Sequence, residues 1–170
     1  MKKIKILYRI IFWSKEKYAR KMGMNIGKDC YIETRYISSE PYLITIGNNV
    51  QITSDVRFFT HGGDWIFRSK YPHIDTFGKI KVGNNVYIGN CALIMPGVTI
   101  GDNVLIGAGA VVTKSIESGK IVGGNPARVL GNVNDLEKKI LGFNLKTKKM
   151  NYKEKRNFLL SLQEDQFIKK

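Results

Sequence analysis

From Val82 onward the chain repeats every six residues: VGNNVY, IGNCAL, IMPGVT, IGDNVL, IGAGAV and VTKSIE follow one another without a gap. The first place is always aliphatic (Val82, Ile88, Ile94, Ile100, Ile106, Val112), and the fifth is Val, Ala or Ile (Val86, Ala92, Val98, Val104, Ala110, Ile116). Second place holds Gly83, Gly89, Gly101 and Gly107. This period matches neither an α-helix nor an alternating strand. It suits a parallel β-helix, in which each hexapeptide supplies one short strand and one corner, and three hexapeptides close a triangular coil. First- and fifth-place side chains then point inward, while Gly and Asn take corners where a positive φ is required. The same frame occurs earlier as IGKDCY (26–31), IGNNVQ (46–51) and ITSDVR (52–57). It slips by two between Ile32 and Ile46, which predicts an irregular coil or bulge over 33–45. About ten hexapeptides would stack into three to four coils, enough for a continuous core.

The flanks read as helices. Residues 3–18 place Ile4, Leu7, Tyr8, Ile11 and Phe12 on one face with Lys and Arg opposite. A second helix is expected after Asn134 in DLEKKILGF, and a third from Asn151 or Tyr152 to about Phe167. The expected organisation is therefore an N-terminal amphipathic helix (1–25), a β-helix (26–131) and a helical tail (132–170). The helices are expected to cover the open ends of the prism, whose edge strands would otherwise invite aggregation.

The formal net charge is +14, with lysines and arginines crowded towards both ends. Such a balance favours anionic partners. No nucleic-acid-binding signature accompanies it, so nucleic acid is not an expected partner. A basic amphipathic first helix could lie on a membrane surface. The apolar start is interrupted by Arg9 and lacks a small-residue cleavage site, so it does not read as a signal peptide. Two cysteines without metal or disulfide spacing fit a reducing cytoplasm, with the inner face of the membrane as the alternative location.

Between Phe58 and Val82 the frame is lost. The segment FFTHGGDWIFRSKYPHIDTFGKIK carries both histidines and then returns in phase. Solenoids place function on such excursions, because the coils supply rigidity and the loops supply shape. His61 stands where the chain leaves the prism, beside Gly62 and Gly63, and an imidazole there can take a proton from a hydroxyl. Asp55 precedes it by one hexapeptide and could orient His61, bind an acceptor hydroxyl, or simply form a corner. Trp65, Phe67 and Tyr71 offer faces on which a sugar ring stacks. The excursion over 61–81 should be the most mobile part of the free protein. His73, far along the loop, is more plausibly structural or substrate-facing than catalytic. Cys30 falls at a core place and Cys91 at a corner with no base nearby in sequence, so neither suits a covalent acyl carrier.

Residues 26–131 resemble the hexapeptide-repeat acyltransferase superfamily, whose prism is left-handed, and THGGDWIFR resembles the catalytic segment of sugar and capsule O-acetyltransferases. The resemblance implies that His61 is the general base. Gly62 replaces a common Asp, with Asp64 two places later, and Tyr87 stands where many relatives have Trp; Asp55, Asp64, Trp65 and Tyr87 are the expected acceptor contacts. GAGAVVTKSIESGKIVGGNPARVL (107–130) is similar to the family's cofactor-binding coils, which implies contacts to acetyl-CoA from Gly107, Ala108, Thr113, Lys114 and Arg128. The implied assembly is a homotrimer with sites between prisms. The implied acceptor is a sugar, sugar nucleotide or lipid-linked sugar in cell-surface polysaccharide synthesis, with an amino acid or sugar amine as alternative. A zinc enzyme on this fold needs three His ligands per metal. A trimer of a chain with 2 His provides only two per site, so no metal is expected. A scaffold protein that has lost catalysis is the rival from another class, which an intact His61 and GNPAR segment disfavour.

Overall fold

The computed structural model describes residues 13–168. Thirteen short strands form three sheets. Strands β1 (Asn25–Ile26), β3 (Ile44–Ile46), β6 (Ile80–Val82) and β9 (Thr99–Ile100) make the first. The second holds β2 (Tyr31–Ile32), β4 (Val50–Ile52), β7 (Val86–Ile88), β10 (Val104–Ile106), β12 (Lys120–Gly123) and β13 (Arg128–Asn132). The third holds β5 (Arg57–Phe58), β8 (Leu93–Ile94) and β11 (Val111–Val112). Up to β12 successive strands pass from sheet to sheet, and all pairs but β12–β13 are parallel; this is the triangular solenoid expected from the repeat, with the left hand that the family resemblance implied.

Register follows the hexapeptide frame. Val82 lies on Ile100, Ile88 on Ile106 and Ile94 on Val112, each one coil of eighteen residues apart. Every first- and fifth-place side chain from Val82 to Ile116 is buried, so the core is a stack of Ile and Val columns with Ala92 and Ala110 among them. Ile52 lies on Ile88, twice that step, because the excursion occupies one coil's length before pairing resumes.

The role expected of the second-place glycines changes. Positive φ belongs to the fourth-place residues: Asp29, Asn49, Asp55, Asn85, Cys91 and Asn103, with Gly97 and Gly109. The second-place glycines are needed for clearance instead. A Cβ on Gly89 would meet the Ala108 nitrogen at 2.6 Å, and one on Gly83 would meet Asp102 Oδ1 at 2.5 Å. The corner residues also bond between coils: Asn49 Nδ2 donates to Asn85 Oδ1 at 2.7 Å, and Asn85 Nδ2 to Asn103 Oδ1 at 3.1 Å.

The first expected helix lies mostly outside the described residues. What is described is α1 (Lys15–Lys21), started by the Ser14 side chain, which accepts from the Lys17 N–H. It packs on the first coil through buried Ala19, the Lys15–Glu33 ion pair, and Arg20, which donates to the carbonyls of Ile26 and Gly27. At the other end the edge of β12 is covered by β13, which folds back antiparallel. The GGNPAR segment is thus the turn of a hairpin rather than a further parallel coil, the Asn125–Pro126 bond being cis. The tail from Asn134 is a separate compact unit. Its helices are α2 (Val133–Leu141), which begins directly after β13 without an Asn134 cap, and α3 (Tyr152–Leu160). Helix α3 opens on a capping box of Asn151 and Glu154 and stops at Ser161, short of Phe167. No described helix is long and apolar enough to cross a membrane.

Candidate active site

His61 leaves the prism immediately after Thr60, a fully buried residue. Its Nδ1 lies 2.8 Å from Glu40 Oε2, and the Thr60 hydroxyl donates to the same oxygen at 2.7 Å. Ser38 Oγ lies 2.7 Å from Thr60 Oγ1; with the Thr60 proton directed at Glu40, Ser38 is the donor in that contact. The Glu40 carboxyl is held below its ordinary range, first by the Thr60 hydroxyl and then by His61 and Ser39. An ionised Glu40 can only accept, so it fixes the proton of neutral His61 on Nδ1 and leaves the Nε2 lone pair free to act as a base. The imidazole side chain is 39 % exposed, whereas that of Glu40 is 16 % exposed.

Glu40 reaches this place because of the two-residue slip in the frame. The extra residues form a 3-10 turn at Pro41–Leu43, and the buried Pro41 restricts the backbone of Glu40 just before it. Sequence inspection identified the slip but not the carboxylate. Twenty-one residues separate Glu40 from His61, and only coil stacking brings them together. Asp55, expected as one possible orienting group, is an exposed corner residue with φ +60°, while Nδ1 is taken by Glu40.

The excursion is organised at its base. His61 and Phe77 form an antiparallel bridge, their rings 5.5 Å apart, and the Gly78 N–H donates to the Thr60 carbonyl at 2.7 Å. Asp64 accepts from the Thr76 N–H at 2.7 Å and from its hydroxyl at 2.9 Å, so this carboxylate clasps the loop across itself. Trp65 is 77 % exposed, with Arg68 stacked 5.7 Å from its ring centre; Phe67, Tyr71 and His73 are exposed too. Tyr87 projects from the middle of β7 between Gln51 and Leu105, 40 % exposed.

Two clefts carry the expected site residues. One, of about 300 Å³, is lined by Tyr36, Ser38, Ser39, Arg57, Phe58, Phe59 and His61. The other, of about 440 Å³, brings Lys114 and Arg128 together with Ser115, Glu117, Lys120 and the β12–β13 hairpin. Gly107 and Ala108 follow β10, and exposed Thr113 follows β11; none of the three lines that cleft. Likewise Asp55, Asp64, Trp65 and Tyr87 do not line the cleft at His61. Tyr36, Ser38, Ser39 and Arg57 carry no motif in the sequence, because they come from the irregular coil and the strand before the break.

A stacked-coil prism with a histidine at the base of an excursion and a basic cleft at its far coils defines a hexapeptide transferase. Residues 79–114 match the model of the bacterial transferase hexapeptide, six repeats. The chain is 50% identical over 150 residues to protein CapG of Staphylococcus aureus, covering 86% of this chain and 87% of that one. It is 39% identical over 117 residues to galactoside O-acetyltransferase of Escherichia coli strain K12, spanning 68% of this chain but only 57% of that protein. Among solved structures, a maltose O-acetyltransferase from Clostridium difficile 630 superposes with a TM-score of 0.63 at 29% identity, over 78% of this chain and 83% of that one. Galactoside acetyltransferase in complex with coenzyme A gives 0.61 at 28% identity, over 79% and 80%. The chain belongs to the hexapeptide-repeat acetyltransferase family.

Proposed function

We propose that the protein transfers an acetyl group from acetyl-CoA to a sugar hydroxyl, with His61 as general base, in the synthesis of a cell-surface polysaccharide. The observation that carries this is the Glu40–His61 pair at 2.8 Å, which leaves Nε2 basic beside an open cleft. The hydroxyl oxygen attacks the thioester carbonyl as Nε2 takes its proton. Backbone N–H groups stabilise the tetrahedral oxyanion. The imidazolium, steadied by Glu40, then gives its proton to the departing thiolate, and coenzyme A leaves as the thiol.

Acetyl-CoA is assigned to the prism wall beside Gly107, Ala108 and Thr113, with Lys114 and Arg128 on its phosphates. Their shared cleft supports the last pair. Sugar acceptors are supported by the galactoside and maltose enzymes among the similar proteins. A homotrimer with sites between prisms is proposed as well. Exposed Tyr31 and Tyr87 on the six-stranded sheet, and the bare aromatics of the excursion, give it apolar surface to bury. Asp55, Asp64, Trp65 and Tyr87 remain proposed acceptor contacts, Asp64 acting by closing the loop. The proposed location is the cytoplasm, with the inner face of the membrane as the alternative.

Thiol release is the direct test. Incubation with acetyl-CoA and a panel of sugars, sugar nucleotides, serine and amino sugars should release coenzyme A fastest with a hydroxyl of a sugar. Turnover only with an amino acid or an amine would replace the acceptor class. A protein that binds acetyl-CoA and turns over with none of the panel would instead be a scaffold.

A further inference from the structure

The cleft at His61 carries a cation that the proposed chemistry does not use. Arg57 sits on β5 in the outward column of the three-stranded sheet, where the next coils place Leu93 and then Val111. The column is thus apolar except at the coil that leads to His61. Arg57 is exposed, and its guanidinium lies 4.5 Å from the ring centre of Tyr36, the residue whose backbone bridges it. Among the described residues no carboxylate pairs with it; the nearby Glu40 is committed to Thr60, Ser39 and His61. Both Arg57 and Tyr36 line the same cleft of about 300 Å³ as His61, with Ser38 and Ser39 between.

Stacking on an aromatic face fixes the plane of a guanidinium and leaves its N–H edge open. An edge held in that way is suited to a planar or tetrahedral anion, which it can take through two parallel hydrogen bonds. A neutral sugar needs no such group, and the neighbouring hydroxyls of Ser38 and Ser39 are engaged with Thr60 and Glu40, which leaves Arg57 as the cleft's open donor. We infer that Arg57, seated on Tyr36, selects an acceptor that carries an anionic group, a carboxylate or a phosphate, within one sugar unit of the hydroxyl presented to His61. This rests on the sugar O-acetyl transfer proposed above and narrows its acceptor class.

The test compares matched acceptors: a methyl hexoside, the corresponding methyl hexuronide, the hexose phosphate and the nucleotide diphosphate hexose. Each is assayed by coenzyme A release with the wild-type protein, Arg57→Gln and Arg57→Lys. The wild type should favour at least one anionic acceptor over the neutral one by about tenfold or more in kcat/KM, as a charge-assisted contact provides. Arg57→Gln should collapse that ratio, mainly through KM, and Arg57→Lys should restore part of it. Rising ionic strength should lower the ratio in the wild type and leave it flat in Arg57→Gln. The preferred anion distinguishes carboxylate from phosphate. Acetylation of the neutral sugar with no anionic preference, or a preference untouched in Arg57→Gln, overturns the inference while leaving sugar transfer intact. No transfer to any of the four overturns both.

Discussion

At the scale of single residues, the proposed catalysis rests on a histidine whose partner comes from another coil. His61→Ala should lower turnover by roughly 10²–10⁴-fold, the usual worth of a positioned base, and leave the assembly state unchanged by sedimentation. Near-normal turnover in a folded variant would remove the base from His61. Glu40→Gln keeps the shape but can turn an amide donor towards Nδ1, which favours the wrong tautomer. It should cost about 10²-fold or more in kcat, with the KM for acetyl-CoA unmoved. Because Thr60, His61 and Ser39 hold the Glu40 carboxyl below its ordinary range, the wild-type group is ionised throughout the neutral region. The loss in Glu40→Gln is therefore expected across the whole neutral region, not on one limb of the pH profile. In the other cleft, Lys114→Ala and Arg128→Ala should each raise the KM for acetyl-CoA more than that for acceptor. Unchanged cofactor affinity by calorimetry in both would place the cofactor elsewhere. The sequence singles out His61, Lys114 and Arg128 because each sits in a short contiguous motif, and the structure places each of them on a cleft. It does not single out Glu40, Tyr36 and Arg57, since only the stacking of non-consecutive coils makes them neighbours of His61.

At the scale of the coil, the hexapeptide frame dictates more than an inward aliphatic column. It also sets where the backbone must be bare and where it must turn left-handed. Gly89, without a positive φ, is pressed against the Ala108 nitrogen, whereas Gly97, at φ +81°, has open space around its Cβ position. Gly89→Ala should therefore destabilise by about 1–3 kcal/mol, the usual cost of overpacking a site that cannot relax. Gly97→Asn should be nearly neutral, because Asn tolerates the left-handed region and already occupies it at Asn85 and Asn103. Thermal melts of the two variants check this, and equal losses would mean that both glycines serve one purpose. The strand frame and its inward residues could be read from period alone, since the period is that of the coil itself. The β12–β13 reversal could not: Val122 stacks on Ile106 after a two-residue slip of the frame, and the Gly-Gly and Asn-Pro pairs mark a turn without saying that the chain returns antiparallel. The tail helices began near their expected starts because Asn151 and Glu154 form a recognisable cap, while the end of α3 at Ser161 carries no comparable signal.

At the scale of the whole molecule, the excursion is the one long break in a rigid prism and, in the proposed function, helps to hold the acceptor. It interrupts the stack for one coil's length, so its side chains cannot join the aliphatic columns, and Trp65, Ile66, Phe67, Tyr71 and Phe77 all stand exposed on the single chain. Apolar surface of that kind marks an interaction site. In the proposed trimer it would meet the neighbouring prism near His61. The clasp between Asp64 and Thr76 and the His61–Phe77 bridge tie down the loop's two ends, but no buried hydrophobic residue anchors its middle. Amide exchange should therefore be fast over 65–75 and slow over 82–117 in dilute protein. At concentrations where sedimentation reports the trimer, the loop should slow, because burial of its aromatics against a neighbour supplies the missing anchor. Trp65→Ala should shift that assembly towards smaller species or weaken acceptor use, with cofactor affinity spared. Asp64→Ala should speed exchange across the loop with the prism unchanged. Loop protection already equal to that of the coils in a demonstrated monomer would mean that the excursion is self-sufficient. Its aromatics would then have to be explained by the acceptor alone.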